Sequence, residues 1–147
     1  MNPYPVGWRM TRAKKPILLL VGFGEWGPED ARLFAEEFRE TVSPFLGKPW
    51  AILGDATGWG INNPYTQREI RTIKRWSKEN GCRIESYFVG KSALKRPLHY
   101  NLAPQDEKDY HFRAHASRES AVLAVIEAGF KVRPKEIGSF FRGDPGR

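Results

Sequence analysis

The segment LGDATGWGINNP, residues 53–64, sets three glycines among Asp55, Thr57 and Trp59. Glycines at 54, 58 and 60 could leave backbone N–H groups open to an anion ahead of a helix. Their spacing is neither that of a Walker loop nor GxGxxG, and the GKS at 90–92 lacks the upstream glycine a Walker loop needs. The plainer account is that glycines let the backbone turn. Asp55 stands at the C-terminal end of an expected strand, where parallel sheets keep functional groups. Its plainer role is to accept hydrogen bonds from neighbouring backbone N–H groups. Trp26 and Trp59 are expected in two strand-to-helix connections at one end of the sheet. There they would wall a pocket, anchor an interface or fold onto the core. Asp55, Thr57, Gly58, Trp59 and Trp26 form the candidate switch or ligand loop.

Other residues offer less. His111 and His115 share a face if HFRAH is extended, with Asp106 and Asp109 close in sequence. No third ligand at fixed geometry is specified, so no metal is assigned. His99 lies in an irregular segment with no evident partner. There is no GxSxG elbow, HExxH or Cys–His signature, so no catalytic residue and no cofactor is assigned. Cys82 reads as a packing residue. Arg68, Arg71, Arg75 and Lys78 fall together on one helix face, a candidate basic interaction surface.

These residues need elements to position them. The apolar run Ile17–Phe23 predicts a central strand covered on both faces. A helix follows from Pro28, with Ala31, Phe34, Ala35, Phe38 and Val42 on one side, and stops at Pro44 and Gly47. Trp50–Asp55 predicts the next buried strand. A second helix runs from Pro64 to about Asn80, capped by Asn63, stopped by Gly81 and striped by Ile70, Ile73 and Trp76. Cys82–Gly90 predicts a strand in which Arg83, Glu85, Tyr87 and Val89 make a face that starts polar. A short helical turn near Lys95–Asn101, a strand at YHFRAH and a Ser117-capped helix complete the pattern. That last helix turns Ala121, Val122, Val125 and Ile126 inward and ends at Gly129. Strands alternating with helices imply an α/β fold with a mostly parallel sheet of four to five strands. Three stretches result: a basic N-terminal segment at 1–16 that could form an edge strand, an α/β domain at 17–130, and a basic, loosely held tail at 131–147.

The formal net charge is +7. It sits at the ends, because residues 17–130 hold 15 bases and 15 acids. Residues 25–55 carry seven acids against three bases, and residues 68–96 carry nine bases against three acids. Opposed charged regions suit steering toward a protein partner or head-to-tail self-association, or are simply two solvated helix faces. The one cysteine excludes an intramolecular disulfide and fits a reducing compartment. No apolar run is long enough to span a membrane, and the N-terminus lacks a signal-peptide core; a cytoplasmic protein without membrane insertion is expected.

Three stretches in order carry a resemblance. An apolar strand leads into GEW and a phenylalanine-bearing helix. KPWAILGDATGW, residues 48–59, precedes a proline-initiated helix. RAHASRESAVLAVIEAGF, residues 113–130, joins a short strand to a Ser-capped helix. Over residues 17–130 the chain resembles the STAS / SpoIIAA-like superfamily, particularly its small stand-alone bacterial proteins. The resemblance implies helices mainly on one face of the sheet. It also implies roles in protein–protein regulation: anti-sigma-factor antagonism, signalling complexes or attachment to transporters. Related CRAL-TRIO folds bind lipids. Classical members are switched by phosphorylation in a DSSG-like motif ahead of a helix, which this chain lacks. Asn62 and Asn63 stand at the helix entry and cannot take a phosphate; Thr57 is the nearest candidate. The expectation is a non-enzymatic regulatory or interaction domain with a protein partner or homo-oligomer. The alternative is a small-molecule or lipid-binding domain, with Trp26, Asp55, Thr57 and Trp59 at the rim. Nucleic-acid binding through the basic helix and the basic ends ranks last.

Overall fold

The computed structural model describes residues 5–61, 63–91 and 95–142. Asn62, Ser92, the first four residues of the expected edge strand and the last five of the expected tail lie outside the described residues. Strand β1 (Gly7–Arg12) is antiparallel to β2 (Ile17–Glu25). Strands β3 (Trp50–Gly60), β4 (Cys82–Phe88) and β5 (His111–His115) follow in parallel, each beside the one before. Helices α1 (Pro28–Val42), α2 (Pro64–Glu79) and α3 (Lys95–Leu102) join the parallel strands, and α4 (Arg118–Glu127) and α5 (Pro134–Arg142) come last.

Because strand order is sequence order, every crossover steps the same way across the sheet. Right-handed connections stepping one way put their helices on one face. So α1, α2 and α3 bring Phe34, Phe38, Ile70, Ile73 and Leu102 onto the side of Leu18, Leu20 and Ile52. Helices α4 and α5 cover the other side, setting Ala121, Val125 and Ile137 against Ile17, Leu19 and Leu53. The alternating halves of ILLL thus feed two separate cores, which is why the run is apolar throughout. The caps behave as their residue types dictate. Asn63 Oδ1 accepts the Tyr65 N–H at 2.8 Å, and Ser117 Oγ accepts the Ser120 N–H at 3.2 Å. Gly81 ends α2 at φ +99°, a left-handed conformation that other residues adopt at a cost.

Three expectations are corrected. LGDATGWG is not a loop. Its backbone continues the ladder with β2, where Phe23, Gly24 and Glu25 pair with Gly58, Trp59 and Gly60. The residues from 131 to 142 are not a loose tail. Ile137, Phe140 and Phe141 recur at helical spacing; Ile137 is buried, Phe141 meets Phe88 at 5.2 Å, and the Arg9 guanidinium lies 4.6 Å from the Phe140 ring. The packed unit therefore runs from β1 to α5, wider than 17–130. Lastly, Ile126 faces outward, 47% exposed, together with Leu123 at 53%. Helix α4 is apolar on more sides than one sheet face can cover.

One irregularity in the ladder matters most for the site. Between Val21 and Phe23, β2 advances two residues while β3 advances three, from Asp55 to Gly58. An extra residue reverses the in–out alternation of everything beyond it. Ile52 and Ala56 belong to the core beneath α1 and α2, and after the bulge Trp59 packs on that same core.

Candidate functional site

Between the sheet and helices α1 and α2 lies a cavity of about 50 Å³. One water needs roughly 10–15 Å³ of such space, so the cavity is several waters large. Trp26, Phe34, Phe38, Ile70 and Ile73 make most of it apolar. Of the residues that line it, Gly22, Asp55 and Trp59 are partly exposed and the others are buried. These three mark the mouth. Trp26 and Trp59 meet edge to face there, with ring centroids 5.4 Å apart. The indole of Trp59 lies across Gly22, where a Cβ would come within 3.2 Å of it. On its other side Trp59 faces the buried His99 ring at 5.3 Å.

A charged group forms the inner wall. Lys74, 7% exposed, and Glu85, 1% exposed, are ion-paired at 2.9 Å. The Tyr87 and Tyr110 hydroxyls donate to Glu85 Oε1 and Oε2 at 2.9 and 2.7 Å. The Lys74 ammonium lies 4.6 Å from the Tyr87 ring and 4.8 Å from the Phe112 ring. A buried pair of this kind survives only when its lone pairs and protons find partners, and Glu85 accepts from three donors. Burial first, then the Glu85 charge and its hydrogen bonds, pushes both phenols well above the ordinary tyrosine range. They are fixed donors, not bases. Burial and the Glu85 charge also push the Cys82 thiol up, which suppresses the reactive thiolate.

The sequence signals for this group were weaker than those for the glycine-rich segment. Lys74 falls on the inward stripe of α2 beside Ile70, Ile73 and Ser77, an unusual place for a lone cation. Glu85 lies in the strand face that starts polar at Arg83, yet only Arg83 reaches solvent. A lysine on an apolar helix stripe and an acid in a buried strand are the pair to look for.

The candidate loop residues divide. Trp26, Asp55 and Trp59 line the cavity; Thr57 and Gly58 are exposed and do not. Asp55 Oδ1 accepts the Thr57 N–H at 2.9 Å, the plain backbone role considered for it. Gly54 serves close packing rather than an anion: a Cβ there would sit 2.5 Å from the Tyr87 ring. The basic row on α2 is largely engaged within the fold. Arg71 donates to the Asn101 carbonyl at 3.3 Å, Lys78 pairs with Glu107 at 2.5 Å, and Arg68 lies over Tyr65 at 5.8 Å. Asp106 gathers His111 Nδ1, the Phe112 N–H and Arg113 into one exposed cluster. No group of metal-binding side chains occurs among the described residues. No helix among them is long and apolar enough to cross a membrane.

The fold is similar to that of an uncharacterized protein of the DUF3478 family from Shewanella loihica PV-4, described as having a SpoIIAA-like fold. The TM-score is 0.62 at 11% identity, covering 84% of this chain and 98% of the other. At that identity the likeness establishes the fold alone. The chain has a SpoIIAA-like α/β fold, as its sequence resemblance implied. No family model matches the chain, and no curated protein matches it.

Proposed function

We propose that this SpoIIAA-like domain is a non-enzymatic binding domain whose cavity holds a small, mainly apolar molecule. The observation that carries the reading is the cavity itself: aromatic and aliphatic walls, a few polar groups, and a mouth at Gly22, Asp55 and Trp59. Concave apolar sites with sparse polar groups are where small ligands bind. The absence of catalysis is part of the proposal and is supported by the inner wall, whose phenols are held protonated and whose carboxylate already accepts three donors. Titration with apolar molecules about the size of a few waters, followed by tryptophan fluorescence, tests it. Saturable binding is expected, lost in Ala56→Leu, which fills the cavity from a buried lining position. A folded variant that binds as well as the wild type would end the reading.

A protein-partner reading has one observation of its own. Leu123 and Ile126 project outward from α4, with Glu119 on the same exposed side. Exposed aliphatic groups grouped on one helix mark interfaces more often than isolated ones do. The partner considered is a second copy, which would bring the basic residues of α2 to this acidic-edged strip head to tail. Sedimentation should show a defined oligomer that Leu123→Glu dissociates; a monomer in both chains would remove self-association.

A further inference from the structure

We infer that the cavity selects an uncharged ligand carrying an acceptor oxygen, a ketone, ester or amide about the size of three or four waters, and that the Trp59 indole N–H binds that oxygen. This rests on the cavity-binding reading proposed above and adds the ligand's chemical class.

Two observations lead there. The first is a donor left over. Trp59 lines the cavity, and its Nε1 is buried with no hydrogen-bond partner among the described residues. A buried N–H without an acceptor costs free energy, and a ligand that supplies one recovers it. Lys74 adds to the surplus. An ammonium has three N–H groups, and one hydrogen bond, to Glu85, is found for it among the described residues. The carboxylates of the site already take donors: Glu85 accepts three, and Asp55 Oδ1 accepts the Thr57 N–H. The wall therefore offers donors, and the missing partner is an acceptor.

The second observation is charge balance. Lys74 and Glu85 neutralise each other inside the wall. A carboxylate entering beside them would leave one buried negative charge uncompensated, and an ammonium one positive charge. Either costs far more than a neutral oxygen does. Asp55 at the mouth adds further repulsion toward anions. The ligand's body is set by the walls, where Trp26, Phe34 and Phe38 offer ring faces and edges.

The bulge in β3 is what places the donor. Were the same residues to alternate unbroken from Ala56, Trp59 would turn toward α4 and α5. Trp59 is thus a binding residue delivered by a backbone irregularity, not by its position in a loop.

The test uses three molecules of equal heavy-atom count and a size the cavity can hold: acetone, isobutane and acetate. Each is titrated into the whole chain while the tryptophan indole N–H signals are followed by NMR. Acetone should bind about tenfold or more tighter than isobutane, the scale of one recovered buried hydrogen bond, and acetate should bind weakest. The Trp59 N–H proton should move downfield with acetone alone. Trp59→Phe keeps a ring and removes the donor, and should erase the preference for acetone over isobutane while leaving binding of the hydrocarbon. Equal binding of acetone and isobutane would overturn the acceptor requirement yet leave the cavity reading standing. Tightest binding of acetate would overturn the charge argument. A preference that survives in Trp59→Phe would remove Trp59 from the role. If none of the three binds, the cavity reading itself falls, and this inference with it.

Discussion

At the scale of single residues, the site is held by one ion pair and one missing side chain. Removing Lys74 alone, as in Lys74→Met, leaves Glu85 charged and buried with only phenols to answer it. Breaking a buried pair this way costs about 3–5 kcal/mol. The double variant Lys74→Met with Glu85→Gln removes both charges and should recover much of that loss. Urea unfolding of the two variants checks it, and a double variant no more stable than Lys74→Met would overturn it. Gly54 is the missing side chain. In Gly54→Ala the added methyl meets the Tyr87 ring at 2.5 Å, so the ring must shift and its hydroxyl swing from Glu85. A loss of about 1–3 kcal/mol is expected from such overpacking, seen as a lowered urea midpoint.

At the scale of elements, α5 makes the sharpest prediction. Ile137 is buried under β2, so Ile137→Ala should destabilise the whole fold by about 2–5 kcal/mol and lower its thermal midpoint. An unchanged midpoint would mean that this helix is detached after all. The sequence hid α5 because its bases and prolines read as a tail, while the spacing of Ile137, Phe140 and Phe141 was too short a pattern to outweigh them. The other elements were legible where the physics is local: the apolar run of β2, the Asn63 and Ser117 caps and the Gly81 stop lie where residue types put them. What stayed hidden was non-local. The pairing of Gly58–Gly60 with β2 is a property of two strands together, and glycines alone suggested a turn. Lys74 and Glu85 lie 11 residues apart, and neither indicates its partner until the strand is laid beside the helix. Trp26, Asp55 and Trp59 were visible as a group because one end of a parallel sheet collects them, whereas Thr57 and Gly58 were grouped with them by sequence alone.

At the scale of the whole molecule, the two basic ends meet. Arg9 of β1 donates to the Phe140 carbonyl, and the Lys14 N–H donates to Glu136. First and last segments therefore close over the same sheet face and should be lost together on unfolding. Stability should also fall toward acid, and the sign follows from two groups. Burial, then the Arg113 and Arg96 charges, hold the His115 imidazole below its ordinary 6.5. Burial would raise the Asp106 carboxyl, but hydrogen bonds from Arg113, the Phe112 N–H and His111 hold it below its ordinary 3.8. In both cases the unfolded chain binds protons more readily than the native one. Their contribution is complete above pH 6.5 and is lost as pH falls, first through His115 and then, below 3.8, through the more exposed Asp106. Urea midpoints measured from pH 7 down to about 3 should decline, and His115→Gln should flatten the upper part of that decline. The bulge in β3 carries a different consequence. Opposite residues in parallel strands share a side, and Trp59 stands opposite Gly24 only after β3 has taken three steps to the two of β2. Deleting one residue between Asp55 and Gly58 would make the ladder regular and leave the indole opposite Gly24, on the side it already holds. A domain of this design can thus lose its irregularity and keep the same side chain at its mouth.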